Sequence, residues 1–384
     1  MIPVMVPWLG QEEAEAAAEA VRSGWVAQGP RVERFERAFA QALGVRHAVA
    51  VSSCTAALHL CLVAAGVGEG DEVVVPSLSF IATANAVRYV GAVPVFADVD
   101  EESGNLTAGS VEPLLTARTR AVIVVDQGGV PVDLDGVRAL CEPRGIAVVE
   151  DAACGAGSTY RGGPVGAGAR LAAFSFHPRK VLTTGEGGMV TCDDGAVAAR
   201  LRRLREHGMS VGAAERHASG SAVPESYGEV GFNYRMTDIQ AAVGLVQLRK
   251  LPAMVARRRE LAERYRELLK GLPGARLVGD PAHGTTNYQS CWLLLGRGHP
   301  MPRNGVLAHL AARGISARRG IMAAHLEPPY AGSERVPLPH TERLTGHSLT
   351  LPLFHSLTAE QQDRVVEALF ETAGTVEGSG GGDA

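Results

Sequence analysis

Aromatic residues make up only 5% of this 384-residue chain. No apolar run reaches the roughly 20 residues that a membrane-spanning helix needs. The longest candidate, from Ala56 to Val67, is interrupted by His59. The six cysteines, at 54, 61, 141, 154, 192 and 291, contain no Cys-x-x-Cys pair. That spacing suggests neither a zinc knuckle nor a disulfide framework, and no metal is expected. An excess of one charge is missing too: 37 basic residues face 41 acidic ones, for a net charge of −4, with no long single-sign run. Such a balance gives no footprint for a nucleic-acid backbone or an anionic membrane. Met1–Gly10 is apolar but lacks a basic leader and a cleavage site, so it does not read as a signal peptide. Internal repeats and an appended helix-turn-helix are likewise absent from the pattern. The expected setting is the reducing cytoplasm.

Hydrophobic residues, at 46%, are ample for a sizeable core. In the first two-thirds, short apolar runs alternate with amphipathic stretches. His47–Val51, Asp71–Val75, Val93–Phe96, Ala121–Val125 and Ile146–Val149 read as strands. Helical runs at Thr55–Ala65, Ile81–Tyr89 and Asp133–Pro143 fall between them. Continuous apolar strands alternating with helices predict an α/β fold, with a mostly parallel sheet covered on both faces. Ligands in such sheets sit beyond the carboxyl ends of the strands. Beyond about residue 245 the texture changes. A charged periodic helix at Arg257–Lys270, a strand at Asn287–Leu295 and helices at Arg303–Arg313 and Thr358–Thr372 predict a smaller α+β unit. The expected division is a large unit of residues 1–245, N-terminal segment included, a small unit of 246–375 and a disordered tail of 376–384. Gly208–Gly228, rich in Gly, Ser and Ala, reads as a long loop.

Four local features bear on chemistry. Arg170–Phe176 is a β-type run that leads to Lys180 and the glycine-rich turn Gly185–Gly188. A partly desolvated lysine amine can form an imine with pyridoxal 5'-phosphate, and it can equally be a surface lysine. Glu150-Asp151 ends a strand, where a carboxylate reaches the ligand crevice. It could stand opposite a pyridine nitrogen, ligate a metal or cap a helix. Ser52–Ala57 lies between a strand and a helix, where small residues admit a phosphate or simply cap the helix. Phe80 follows a strand and could stack on a flat ring or belong to the core.

Taken in this order, these segments resemble the sugar-nucleotide aminotransferases of the DegT or StrS family, which have the type I fold of aspartate aminotransferase. The resemblance runs from about Gly24 to about Leu369. It rests on Gly24-Trp25, Gly29-Pro30, Phe35-Glu36, Ser53–Leu58, Pro76–Asn85, Glu150–Ala153, Phe174–Phe176 with Lys180, Gly185–Gly188, Gly231–Asp238 and Leu351–Leu353. It implies that Lys180 holds pyridoxal 5'-phosphate as an internal aldimine and shuttles the proton. It further implies that Asp151 pairs with the pyridinium nitrogen, that Phe80 stacks on the ring, and that the backbone at Thr55 and Ala56 with the Ser175 hydroxyl holds the phosphate. Asn233 would reach the phosphate of a neighbouring subunit's cofactor, which implies a homodimer with shared sites. Trp25 and His325 would border the substrate. The activity implied is transfer of an amino group from an amino acid, L-glutamate or L-glutamine, to a nucleotide-linked keto sugar.

The chain departs from the family pattern twice. Cys154 stands where the family usually has Gln or His near the cofactor's 3-hydroxyl, and a thiol is a weak partner there. Asp126-Gln127-Gly128-Gly129 replaces a His-x-Tyr-Gly wall, with Asp126 as the candidate to restore its polarity. Other readings remain open: the same chemistry on a keto-cyclitol or other non-nucleotide ketone, or a non-enzymic regulator on this fold. A sugar dehydratase would have histidine in place of Lys180. A nicotinamide site at Gly155-Ala-Gly157 lacks the G-x-G-x-x-G spacing.

Overall fold

The computed structural model describes residues 1–212 and 224–374. The 376–384 tail and the middle of the Gly208–Gly228 segment lie outside the described residues. The N-terminal two-thirds carries strands β1 (His47–Val51), β2 (Glu72–Pro76), β3 (Val93–Ala97), β4 (Thr119–Val125) and β5 (Ala147–Asp151). A small hairpin, β6 (Thr159–Tyr160) and β7 (Gly163–Pro164), precedes β8 (Leu171–Ser175) and β9 (Gly188–Cys192). Seven of these form one sheet in the order β1-β9-β8-β5-β4-β2-β3. Pairing is parallel between β5 and β8, β4 and β5, β2 and β4, and β2 and β3. Strand β9 alone runs antiparallel to both its neighbours. The central strands are buried along their length, as continuous Val, Ala and Ile runs require when helices cover both faces.

The apolar strands were read from the sequence nearly as they occur. Strand β9 was not, because Gly185–Gly188 reads only as a turn. The close approach there explains the glycine. A Cβ on Gly188 would stand 2.5 Å from the carbonyl carbon of Ser53, so only glycine lets β9 start beneath the neighbouring helix N-terminus.

The C-terminal third holds β10 (Ala275–Leu277), the short β11 (Gly284–Thr285), β12 (Cys291–Leu295), β13 (Arg318–Arg319) and β14 (Ser348–Leu351). Four of them make an antiparallel sheet in the order β10-β12-β14-β13. Leu293, Leu349, Leu310 and Leu369 share one buried cluster there with Leu261, Ala262 and Tyr265. Those last three sit on a 31-residue helix, Asp238–Leu268. The sequence reading began this helix at Arg257, and the structure corrects it. Ala241, Ala242, Gly244, Val246 and Gln247 are buried, so the N-terminal half shows no amphipathic stripe, and Pro252 suggests a break. A capping box starts the helix at Thr237: its hydroxyl accepts from Gln240 N–H, and Gln240 Oε1 accepts from Thr237 N–H at 2.9 Å. Residue 245 therefore falls inside one continuous helix. The first residues lie against residues 314–316. Ile2 N–H donates to Gly314 O at 2.7 Å, and Ile2 O accepts from Ser316 N–H at 2.8 Å. Among the described residues no helix is long and apolar enough to cross a membrane.

Arg258, on the long helix, is 4% exposed and ties three carbonyls together: Tyr288 O at 2.8 Å, Gln289 O at 2.9 Å and Leu353 O at 3.1 Å. Burial pulls its guanidinium down to about 10, so it stays charged at neutral pH. Replacing it by methionine leaves three acceptors buried without a donor. Arg258→Met is expected to cost about 3–5 kcal/mol of stability, read as a lower denaturant midpoint with an unchanged slope.

Candidate active site

Strands β5 and β8 lie side by side and parallel, with Asp151 opposite Ala173. Their carboxyl ends therefore open on one edge of the sheet, and two of the sequence-predicted residues meet there. Asp151 is the last residue of β5 and is 4% exposed. Lys180 comes five residues after the end of β8, in a turn closed by its own N–H donating to His177 O at 2.8 Å. Its Nζ donates to Cys154 Sγ at 3.1 Å. Cys54 Sγ lies 4.0 Å from Asp151 Oδ1. Lys180, Cys154, Asp151 and Cys54 thus form one cluster. Burial opposes the charge on Lys180, but the sulfurs of Cys154 and Cys54 together with Asp151 outweigh it and hold the amine above its ordinary value. Burial pushes Asp151 up, against the Thr83 hydroxyl, the Ala153 N–H and the Lys180 charge.

Sequence reasoning missed the group that supports Asp151. Thr83 Oγ1 donates to Asp151 Oδ2 at 2.9 Å, and the Ser79 hydroxyl lies 2.8 Å from Thr83 Oγ1. Both are 2% exposed. The four-residue spacing from Ser79 to Thr83, at the entry to the helix Ala82–Tyr89, was the available signal. The loop that carries Ser79 and Phe80 is pinned from several sides. Gln127 Nε2 donates to Leu78 O, Ser79 N–H donates to Met322 O at 3.1 Å, and Ala324 N–H donates to Ser77 O at 2.7 Å. Phe80 itself is 69% exposed at the carboxyl end of β2. It is not a core residue.

Near the helix Cys54–Ala64, Ser53 Oγ caps the N-terminus by accepting from Ala56 N–H at 3.1 Å. The Ala56 N–H is thus already engaged within the cap. Ser175 ends β8, and its hydroxyl accepts a long bond from His177 N–H at 3.4 Å. Asn233 is exposed beside Tyr234, whose carbonyl accepts from Ser52 N–H at 2.8 Å. His325 is 3% exposed, and its Nδ1 lies 2.6 Å from Ser77 Oγ, so the ring buttresses the β2 loop. Trp25 lines a cavity of about 940 Å³ with Gln28, Glu36, Arg202 and Arg205, a lining that includes neither Lys180 nor Asp151. Asp126 does not restore a polar wall. It is fully buried, its Oδ1 accepts from Val132 N–H at 3.0 Å, and its Oδ2 has no partner. Among the described residues no cluster of three or more His, Cys, Asp or Glu is arranged to hold a metal.

The donor set fits pyridoxal phosphate. A primary amine and a buried carboxylate share one cluster, and a pyridinium is the cation that would compensate Asp151. An exposed aromatic and a helix N-terminus stand at the same sheet edge. A model of the DegT/DnrJ/EryC1/StrS aminotransferase family matches residues 7–370, and the chain belongs to that family. It is an aminotransferase. It is similar to the aminotransferase TlmJ of Streptoalloteichus hindustanus, at 38% identity over 97% of this chain and 98% of that one, with a TM-score of 0.89. DesI, solved in the presence of its TDP-sugar product, is 34% identical over 97% of this chain and 93% of that one, TM-score 0.87. The putative sugar aminotransferase Spr1654 of Streptococcus pneumoniae, in its PLP-form, is 27% identical over 97% and 98%, TM-score 0.89.

Two predictions come from the carboxylates. Thr83→Val removes one donor from Asp151 and is expected to lower kcat roughly tenfold, with Thr83→Ser restoring most of it. Glu150, beside Asp126, is 2% exposed with Oε2 unpartnered, and burial pushes it up to about 7 from an ordinary 4.5. A carboxyl raised on folding costs stability as pH climbs from its unfolded value to its folded one. Glu150→Gln is therefore expected to raise the melting temperature by several degrees at pH 8 and by little at pH 4.5. An equal gain at both pH values would contradict this.

Proposed function

We propose that this aminotransferase moves an amino group from an amino acid, L-glutamate or L-glutamine, to a keto sugar carried on a nucleotide, with pyridoxal 5'-phosphate bound at Lys180. The observation that carries the reading is the cluster of Lys180 and Asp151 at the shared edge of β5 and β8. When bound, the cofactor supplies an aldehyde to take up the amino group and a protonated ring to draw electrons from the reacting carbon. Lys180 would hold the cofactor, and its free amine would serve as the acid and base that carries the proton. Asp151, kept in register by Thr83, holds the ring nitrogen protonated. Phe80 covers one face of the ring. The backbone at Thr55 and the Ser175 hydroxyl bind the phosphate, and Asn233 extends to the cofactor of a second copy. That sharing supports a homodimer, and we place the enzyme in the cytoplasm. We read the chain as two units, 1–245 and 246–375, joined within the helix Asp238–Leu268. The TDP-sugar found with DesI supports the nucleotide carrier, and the PLP-form of Spr1654 supports the cofactor.

The purified protein is expected to absorb visible light, and borohydride should fix the cofactor on Lys180. Lys180→Ala should stay folded and retain under a tenth of wild-type turnover, a rough threshold for loss of the acting base. A colourless protein unchanged by added pyridoxal phosphate would sink the reading. A panel of amino sugars, free and nucleotide-linked, and of aminocyclitols, run in the reverse half-reaction and followed by absorbance, identifies the ketone. Conversion by cyclitols alone would exclude the sugar.

A further inference from the structure

Strand β8 ends at Ser175, so no ladder hydrogen bond fixes Lys180. Besides the turn bond from Lys180 N–H to His177 O, a side chain from the C-terminal part of the chain holds the peptide groups on either side of it. Gln289 Oε1 accepts from Val181 N–H at 2.8 Å, and its Nε2 donates to Arg179 O at 2.6 Å. One planar carboxamide therefore brackets the lysine.

Gln289 is itself held from behind. Its N–H donates to Asn287 Oδ1 at 2.6 Å, and its carbonyl accepts from the buried Arg258 at 2.9 Å. Between them Tyr288 has φ 50, a left-handed conformation that non-glycine residues rarely adopt. The segment keeps that shape because Arg258 also holds Tyr288 O at 2.8 Å and Arg266 holds the Tyr288 hydroxyl at 2.6 Å. The same short segment reaches the loop that follows Asp151. Asn287 Nδ2 donates to Cys154 O and to Ala156 O, both at 2.8 Å. Asn287 and Gln289 thus fasten the two loops that present Cys154 and Lys180 to each other.

We propose that Gln289 is a positioning residue for Lys180: by clamping residues 179 and 181 it sets the place of the amine relative to Cys154 and Asp151. This rests on the reading of Lys180 as the cofactor lysine. A carboxamide suits the task because it offers one acceptor and one donor in a plane, the complement of an N–H and a carbonyl two residues apart. Glutamate keeps the acceptor but loses the donor. Alanine loses both.

The test compares wild type, Gln289→Ala and Gln289→Glu. In the cofactor-free protein, hydrogen exchange at the Val181 amide is expected to speed up about tenfold or more in Gln289→Ala and to change less in Gln289→Glu. In the loaded enzyme, kcat is expected to fall about tenfold in Gln289→Ala, with KM for the amino donor within about twofold and melting within a few degrees of wild type. The pH at which the visible absorbance of the bound cofactor changes is expected to shift as well. Unchanged exchange, with kcat within about twofold of wild type, overturns the proposal. So does a fall in kcat that merely follows a loss of folded protein, in either variant. A wild type that takes no cofactor at Lys180 refutes the underlying reading. The exchange measurement needs no cofactor, so the two failures are told apart.

Discussion

The parallel pairing of β5 with β8 is the constraint on which the site depends. Two strands that are neighbours and run in one direction must finish on the same side of the sheet. Asp151 is the last residue of the first, and the turn carrying Lys180 continues the second. Had β8 run antiparallel, as β9 does, its carboxyl end would lie a strand length away. The carboxylate and the amine would then share no pocket.

Around that pairing the chain uses hydrogen bonds where secondary structure ends. Beyond the carboxyl ends of the strands no ladder fixes the backbone, so side chains take over. Gln127 and His325 hold the β2 loop, Thr83 holds Asp151, and Gln289 holds the lysine turn. Most of these groups are buried or half-buried, where a satisfied hydrogen bond is difficult to replace with water. The pocket edge is thus held in shape by side chains of the protein itself.

The unpaired buried oxygens sit just behind this edge. Asp126 Oδ2 and Glu150 Oε2 lack partners, while Asp151 one residue further has several. Side chains alternate along a strand, so Glu150 points to the opposite face from Asp151. Asp151 belongs to the cluster with Lys180, and burial pushes its neighbour Glu150 up to about 7.

Much of this was legible in the sequence. Continuous apolar runs at 47–51, 121–125 and 146–149 marked buried strands, because such strands have no polar face. The positions of Lys180, Asp151 and Phe80 after strands followed from the same rule. Other features could be decided only by tertiary structure. The burial of Asp126 and His325 depends on which elements cover them, and composition does not show that. The Trp25 cavity, the long helix through Pro252 and the strand after Gly188 all arise from packing partners far away in the chain. Gln289 lies 109 positions from Lys180, and nothing local distinguishes it from any other glutamine near a strand. Sequence fixes what each segment prefers over a few residues, since backbone sterics and hydrophobic period act locally. Which distant side chain completes which loop is settled only when the sheet and the long helix bring them within hydrogen-bond reach.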